Sequence, residues 1–322
     1  MKLLKRLGLP VAVMAGMFLQ GAAQAADPSI DDPSVLLPHE AAAVIAASVL
    51  GETLPPELTL ELAKLVRDLD EATTAEAVAA KAQLTEDLTL ARLGAGLQAM
   101  GEALEPGITT RELDAIGRRM LELEGARSAP ELTYDFPGAT CISIGPDVAH
   151  GIPDDRKVAA GDLINIDVSA ELDGFFGDTG ASFAVPPTPA RIERLCRDGR
   201  RAMWAGIKAV KSGGQLNEVG RSIERFADRH GYSLVRNLSS HGVGRSLHDE
   251  PREIPTWYEP RDRRTINEGL VFTIEPFLSL GADWVDERDD GWSLYPPGLE
   301  PTVQYEHTLV ATRNGPLVLT LA

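Results

Sequence analysis

Apolar residues at helical spacing fall into separate blocks of the chain. This spacing predicts helices over residues 88–104, 190–210 and 216–230. Thr109 and Glu112 stand at capping-box spacing and predict a further helix that ends at Leu123. Glycine and proline interrupt the pattern after each first helix, at residues 105–107 and 213–214. The helices are therefore expected as two consecutive pairs.

Between and after these pairs the pattern changes to that of β-strands. Ile164, Ile166 and Val168 alternate with polar residues, and a strong Asp-Gly turn signal follows at residues 173–174. Residues 161–185 therefore predict a β-hairpin. A strand with turns is predicted at residues 132–144, and further strands are predicted at 233–238, 269–278 and 302–312. This order predicts an α+β domain in which helices cover one side of a mainly antiparallel sheet and the two halves share one layout.

The two arms of the predicted hairpin carry one aspartate each, Asp167 and Asp178, at matching distances from the turn. A turn centred on Leu172-Asp173 places them directly opposite, and a centre one residue later makes them diagonal neighbours. In both cases they share a face, where two carboxylates repel each other. A divalent metal would compensate this repulsion. The alternative is a pair of solvated surface aspartates.

Composition restricts the classes of function. The chain has 322 residues, of which 43% are hydrophobic, enough for one large domain or two small ones. Its formal charge of −17 argues against nucleic-acid binding. Cys141 and Cys196 are the only cysteines, which excludes a disulfide scaffold and a thiolate zinc site.

The N-terminal residues have the pattern of a secretory signal peptide. Lys2, Lys5 and Arg6 precede an apolar run over residues 7–19, and an A-x-A cleavage signal follows at residues 23–25. Residues 1–25 are thus predicted to direct export, to the periplasm or outside the cell. The alternatives are an uncleaved anchor, or a cytoplasmic protein whose start codon lies further downstream. Residues 26–83 predict a helical extension and residues 84–322 the main domain.

Histidines and carboxylates concentrate in the predicted strands and loops. His241 stands in an HGVGRSLH segment, whereas Glu275 and Glu306 interrupt apolar strands. Carboxylates in such strands are rarely buried unless they are paired or bind a metal. Together with the hairpin aspartates they form a hard, oxygen-rich donor set that suits Mn²⁺, Fe²⁺, Co²⁺ or Zn²⁺. Four carboxylate charges match two divalent ions, which points to metal-assisted hydrolysis.

These residues and the segments around them resemble the methionine aminopeptidase family, most closely the bacterial type I enzymes of the M24 metallopeptidases. The resemblance runs from about Leu84 to the C-terminus. The related proline-specific enzymes share only the ligand set and usually carry a larger N-terminal domain. The matching segments are CISI, HGIPDD, GDLINIDV, DGFFGDT, SHGVGRSLHDEP, FTIEP, DGW and QYEHT.

The resemblance implies a pita-bread fold and a two-metal aminopeptidase that releases N-terminal methionine, with a metal-bridged hydroxide as the nucleophile. Substrates would be the N-termini of peptides or proteins. After signal cleavage the protein would be a monomer without stable membrane association. The ligands implied for the two divalent ions (Co, Mn, Fe or Zn) are Asp167, Asp178, His241, Glu275 and Glu306.

Within this set the resemblance makes Asp178 and Glu306 bridging ligands. Asp167 would favour one ion, and His241 with Glu275 the other. The implied catalytic residues are His150, His248 and Glu275: His248 would bind the substrate carbonyl or amide, His150 would lie near the leaving nitrogen, and Glu275 would carry the proton. The implied side-chain pocket is formed by Phe136, Cys141, His150, Leu247 and Trp292.

The chain departs from the family pattern near this pocket. Gly145-Pro146 replaces Asn-Glu, Leu247 replaces an aromatic residue, and Thr133 stands near the position of a tyrosine. These departures leave two alternatives open. One is an exported aminopeptidase with a shifted residue preference, including Xaa-Pro, and the other is a non-catalytic peptide-binding relative.

The signal-peptide prediction is tested by the N-terminus of the protein recovered from the cells that express it. Cleavage after Ala25 should leave Ala26 as the first residue, because signal peptidase accepts small residues at the A-x-A positions. Replacing Ala25 with a large residue should block processing. N-terminal sequencing that begins at Met1 in the unaltered protein would contradict the prediction of a cleaved signal.

Overall fold

The computed structural model describes residues 93–321. The predicted signal peptide (1–25) and helical extension (26–83) lie outside this range and stay predictions. Within it, no helix is long and apolar enough to cross a membrane. The described helices are α1 (93–102), α2 (Thr110–Leu123), α3 (Ala129–Tyr134), α4 (Ala190–Ala209) and α5 (Leu216–His230).

Most strands join a large antiparallel sheet of nine strands, which runs β1-β3-β4-β13-β8-β6-β7 with β2 added to β3 and β14 to β13. A second sheet has the order β12-β9-β5, and β10 pairs with β11. The strands are β1 (Arg127–Ser128), β2 (Cys141–Ile144), β3 (Leu163–Leu172), β4 (Phe175–Ala184), β5 (Ser233–Leu234), β6 (Ser240–Gly242), β7 (Asp249–Ile254), β8 (Val271–Ile274), β9 (Phe277–Ser279), β10 (Asp286–Glu287), β11 (Leu294–Tyr295), β12 (Thr302–Gln304), β13 (Glu306–Thr312) and β14 (Gly315–Val318).

The helices and the sheets share one main hydrophobic core. Leu113 of α2 and Leu195 of α4 are fully buried in the same cluster as Ile164 and Phe272 of the large sheet. Burial of each such side chain stabilises the fold by roughly 1.5–3 kcal/mol. The predicted α+β class, with helices covering an antiparallel sheet, is therefore confirmed.

A local signal in the sequence accounts for the start of helix α2. The Thr109 side chain accepts a hydrogen bond from the backbone N–H of Glu112, whose carboxylate accepts from the Thr109 N–H in return. This capping box begins α2, which ends at Leu123 as predicted.

The strand predicted over 132–144 is partly wrong. Its first residues belong to α3, because Ser128 caps that helix and Pro130 occupies its first turn. Asp135, in the left-handed conformation, ends it. Only Cys141–Ile144 is strand. This change places Tyr134 at the end of a helix.

The hairpin forms as predicted, from β3 and β4. Leu172 pairs with Phe175, so the turn is Asp173-Gly174, and both of these residues have positive φ, at 53° and 84°. A two-residue type I′ turn requires this conformation. Asp167 therefore pairs with Gly180, and Ser169 pairs with Asp178. The two aspartates are diagonal neighbours, the second of the two expected arrangements.

The strands predicted over 269–278 and 302–312 each divide into two strands that belong to different sheets. β8 lies in the large sheet and β9 in the three-stranded one, and β12 and β13 make the reverse change. One break contains Pro276, which has no N–H to donate to a ladder. Gln304 pairs with Phe277 and His307 pairs with Ile274, so both breaks lie at the same level. Glu275 and Glu306 are thus side by side where two sheets meet.

The stability of the hairpin should depend on Gly174. Its φ of +84° is strained for any residue with a Cβ, so Gly174→Ala should lower the free energy of unfolding by about 1–2 kcal/mol. Gly96→Ala is the matched control. Gly96 lies inside α1, where an added Cβ meets Met120 at an ordinary 3.7 Å. Urea denaturation should show a loss for the first variant only; equal stability of the two would contradict the turn assignment.

Candidate metal centre

The hairpin supplies two acidic side chains to a buried polar centre. Asp178 is only 5% exposed, and its Oδ1 accepts a hydrogen bond from Ser169 Oγ at 2.8 Å. Asp167, one diagonal step away, is half-buried. Burial raises the pKa of Asp178 well above its usual value, and the charges of Asp167 and Glu275 raise it further.

His241 on β6 faces these carboxylates in its neutral form. Its Nδ1 lies 2.9 Å from the Gly242 carbonyl oxygen, to which it donates, so Nε2 keeps its lone pair. Burial, followed by the neighbouring His248, lowers the pKa of His241 to about 3. His241 Nε2 lies 3.8 Å from Asp178 Oδ2 and 3.4 Å from Glu275 Oε1. A lone pair aimed at two carboxylates needs a cation between them.

The meeting point of the two sheets holds Glu275 in place. Its backbone N–H donates to Ser240 Oγ at 2.9 Å, and its Oε1 accepts from Thr273 Oγ1 at 3.0 Å. The Thr273 hydroxyl oxygen also accepts from the His241 N–H at 3.1 Å. Thr273 therefore fixes both the carboxylate of Glu275 and the backbone of His241.

Glu306 is the most deeply buried of the four acids, with 1% exposure. Among the described residues its Oε1 has no hydrogen-bond partner. Donor atoms of Glu306, Asp178 and His241 all lie within 4.8 Å of one another. Burial, and then the charges of the other three acids, raise the pKa of Glu306 well above its usual value.

This donor set fits divalent cations. A buried carboxylate oxygen without a donor is costly unless a cation binds it, and four acids around one neutral imidazole are a hard ligand set. Asp167 and Glu275 adjoin the Asp178–His241–Glu306 group: Asp167 shares a hydrogen-bond donor with Glu306, and Glu275 lies against His241.

The shared donor is Gln304, which the sequence-based prediction did not include. Its Nε2 donates to Asp167 Oδ2 at 3.3 Å and to Glu306 Oε2 at 3.0 Å, while its Oε1 accepts from Asn165 Nδ2 at 2.7 Å. Gly180 leaves the space for this amide, because a Cβ there would stand 2.5 Å from Gln304 Oε1. Gln304 stands two residues before Glu306 in the predicted strand, and residues at this spacing share a face. This spacing was the signal that could have identified Gln304.

The other predicted site residues surround this centre. The His248 ring lies 4.1 Å from the His241 ring, centroid to centroid. His150 lies in a loop, and part of its side chain is exposed. The protein packed around the rest of the ring, and then His248, lower its pKa, so the ring is neutral at pH 7. Tyr134, which was not predicted as a site residue, lies 2.5 Å from His248 Nδ1 through its hydroxyl.

The residues expected to form the side-chain pocket fall into three places. Phe136 and Trp292 meet edge to face, with ring centroids 5.0 Å apart. Cys141 is buried on β2, where it pairs with Asp167 of β3. Leu247 is buried directly before His248. The pairing of Cys141 with Asp167 places one of these apolar residues next to the acids.

Comparison with known proteins gives a consistent result. Residues 90–313 match the sequence profile of metallopeptidase family M24. A protein of Bacillus subtilis (strain 168), methionine aminopeptidase 2, is 43% identical over 222 residues, which are 69% of this chain and 89% of that protein. The methionine aminopeptidase of Escherichia coli (strain K12) is 38% identical over 221 residues, 68% of this chain and 83% of its own length.

Solved structures agree with the sequence comparison. The crystal structure of a methionine aminopeptidase from Rickettsia prowazekii superposes with a TM-score of 0.71 at 32% sequence identity. The match covers 74% of this chain and 96% of that one. The pita-bread fold expected from the sequence is thereby confirmed.

The position of Gln304 predicts a role in metal binding. Gln304→Met keeps the length of the side chain and removes both donated hydrogen bonds, so Asp167 and Glu306 should lose their alignment. Partners of metal ligands typically contribute about 10–100-fold in affinity, and a loss of this size is expected by isothermal titration with Mn²⁺. Gln98→Met makes the same change on the exposed face of α1 and should bind Mn²⁺ like the unaltered protein. Equal affinities of the two variants would refute the role.

Proposed function

The chain belongs to metallopeptidase family M24, and on this premise we propose that it removes methionine from the N-termini of peptides or proteins. It is a metal-dependent aminopeptidase by family. The observation that carries the proposal is the close grouping of Glu306, whose Oε1 is unpaired, with Asp178 and His241: one donor atom of each lies within 4.8 Å of the others. Relatives 38–43% identical over most of their own length carry the name methionine aminopeptidase, which supports this substrate.

The geometry supports a division of the ligands between two ions. Asp178 and Glu306 belong to the central group and would be shared by the two ions. Asp167, which shares the Gln304 amide with Glu306, would hold one ion. His241 and Glu275, 3.4 Å apart, would hold the other. When bound, the two ions supply a Lewis acid for the peptide carbonyl and an activated water.

The protein's own residues position the substrate and move protons. His248 donates a hydrogen bond to the oxygen of the first peptide bond, where negative charge develops during attack. Glu275, fixed by Thr273, accepts the proton from the attacking water and returns it to the leaving nitrogen. His150 lies in the loop beside this nitrogen and orients it. Neutral imidazoles suit these roles at neutral pH.

The apolar residues around the acids support a preference for a long, unbranched side chain. Phe136 and Trp292 meet edge to face, whereas Cys141 pairs with Asp167 and Leu247 directly precedes His248. Aromatic edges and faces make favourable contacts with a thioether sulfur. We infer that the methionine side chain lies among these residues. The leucine at position 247 is smaller than an aromatic residue, so this pocket tolerates other first residues better.

We also propose that the enzyme works outside the cytoplasm. The charged N-terminus, the apolar run over residues 7–19 and the A-x-A signal support export. Its substrates would then be peptides or processed proteins beyond the membrane.

Hydrolysis of a peptide panel tests the proposed activity. With Mn²⁺ or Co²⁺ the purified protein should release methionine from Met-Ala peptides, with slower cleavage of Ala-, Leu- and Xaa-Pro peptides. Asp178→Asn should reduce this activity to background, since it removes one charge from the centre of the ligand set. Asp228→Asn makes the same change on the exposed side of α5 and should keep full activity.

Cleavage of Xaa-Pro peptides without cleavage of Met-Ala would refute the substrate assignment. No turnover with any divalent ion would refute the enzyme assignment for this chain. Full activity of Asp178→Asn would refute the site.

A further inference from the structure

Tyr134 and His248 form a direct side-chain contact beside the metal centre. The Tyr134 hydroxyl oxygen lies 2.5 Å from His248 Nδ1, and the two rings are tilted with centroids 5.7 Å apart. Tyr134 is the last residue of α3 and is 45% exposed. An exposed tyrosine does not need this partner for burial, so the contact requires another explanation.

The short helix that carries Tyr134 is fixed at both ends. Ser128 Oγ accepts from the Glu131 N–H, and the N–H of Asp135 closes the helix on the Glu131 carbonyl. The Glu131 carboxylate also pairs with both terminal nitrogens of Arg118 on α2. A bidentate pair of this kind restrains orientation as well as distance. Helix α3 therefore holds Tyr134 in a fixed position.

His241 and His248 lie against each other, yet their surroundings favour opposite tautomers. His241 Nδ1 faces a carbonyl oxygen, which can only accept, so its proton is on Nδ1. His248 Nδ1 faces a hydroxyl group instead. In the described part of the chain, no hydrogen-bond partner occupies His248 Nε2.

We propose that Tyr134 is a positioning residue whose hydroxyl donates to His248 Nδ1 and thereby holds the imidazole proton on Nε2. The catalytic effect of this tautomer rests on the proposed function: Nε2–H is the group that donates to the substrate oxygen. With the proton on Nδ1, a lone pair would face the negative charge that develops on that oxygen. The fixed tautomer therefore stabilises the transition state more than the bound substrate.

The direction of the hydrogen bond follows from the two groups. A phenol is a good donor and a weak acceptor, whereas the unprotonated nitrogen of a neutral imidazole is a strong acceptor. Burial, and then the nearby Asp178 charge, raise the pKa of Tyr134, so its hydroxyl keeps its proton. A neutral imidazole has one nitrogen free to accept, and Nδ1 of His248 is the nitrogen that the hydroxyl faces.

Nitrogen-15 NMR of the Zn²⁺-loaded full-length protein, labelled at histidine, tests the tautomer without any turnover. In the unaltered protein His248 should be a single species protonated at Nε2. Tyr134→Phe keeps the ring and removes the hydroxyl, so the Nε2–H share should fall toward the mixture of an unrestrained imidazole. Tyr258→Phe is the control. The Tyr258 ring lies against the guanidinium of Arg221 rather than against a histidine, so this variant should match the unaltered protein.

Kinetics on a Met-Ala peptide separate positioning from a merely structural role. Tyr134→Phe should lower kcat about tenfold, the equivalent of one lost hydrogen bond, with KM changed less than about twofold. In a His248→Ala background the same change should cost nothing further, because the residue acts only through the imidazole.

Two outcomes would overturn the inference. One is an unchanged His248 tautomer in Tyr134→Phe. The other is an equal fall in kcat when Tyr134→Phe is added to His248→Ala. A protein that binds Zn²⁺ but cleaves no methionyl peptide would refute the proposed function alone, and the NMR comparison would still decide the role of Tyr134.

Discussion

The mutual repulsion of four acids that lie close together, three of them buried, is the constraint on which the arrangement of this protein depends. Two unit charges about 4 Å apart repel by about 4 kcal/mol at the effective dielectric constant near a protein surface, and burial adds a desolvation cost for each. Burial is the first cause of the raised pKa of every one of the four acids. A fold that gathers such groups, and leaves one Glu306 oxygen unpaired, is adapted to bound cations, since no lysine or arginine among the described residues pairs with any of the four acids.

The fold gathers them by changing sheets. Glu275 and Glu306 stand at breaks where neighbouring strands pass from the three-stranded sheet to the large one. A carboxylate in the middle of a continuous strand would point either into the core or into solvent. At a break the side chain can instead point along the line where the two sheets meet, toward the hairpin that carries Asp178. The register of the neighbouring strand pairs keeps both breaks at the same level.

Much of this could be predicted from the sequence, because the signals were local. The capping box of α2 and the Asp-Gly turn each fix a conformation within a few residues, and the structure has both. The diagonal placement of Asp167 and Asp178 needed only the position of that turn. By contrast, the breaks at Glu275 and before Glu306 depend on which sheet each strand joins, and this is decided by pairing with distant residues. Helix α3 was missed because its six residues are too few for a periodic pattern.

The residues that sequence reasoning overlooked have one property in common: each acts on the protonation or orientation of a neighbour. Gln304 aligns two carboxylates, Thr273 fixes Glu275, and Tyr134 faces His248. Such residues carry no charge and follow no ligand spacing, so a search for acids and histidines passes over them. Yet the two adjacent imidazoles differ chiefly in what touches Nδ1, a carbonyl in His241 and a hydroxyl in His248. Identical side chains thereby acquire opposite capacities at Nε2, one with a lone pair for a cation and the other with a hydrogen to donate in a hydrogen bond.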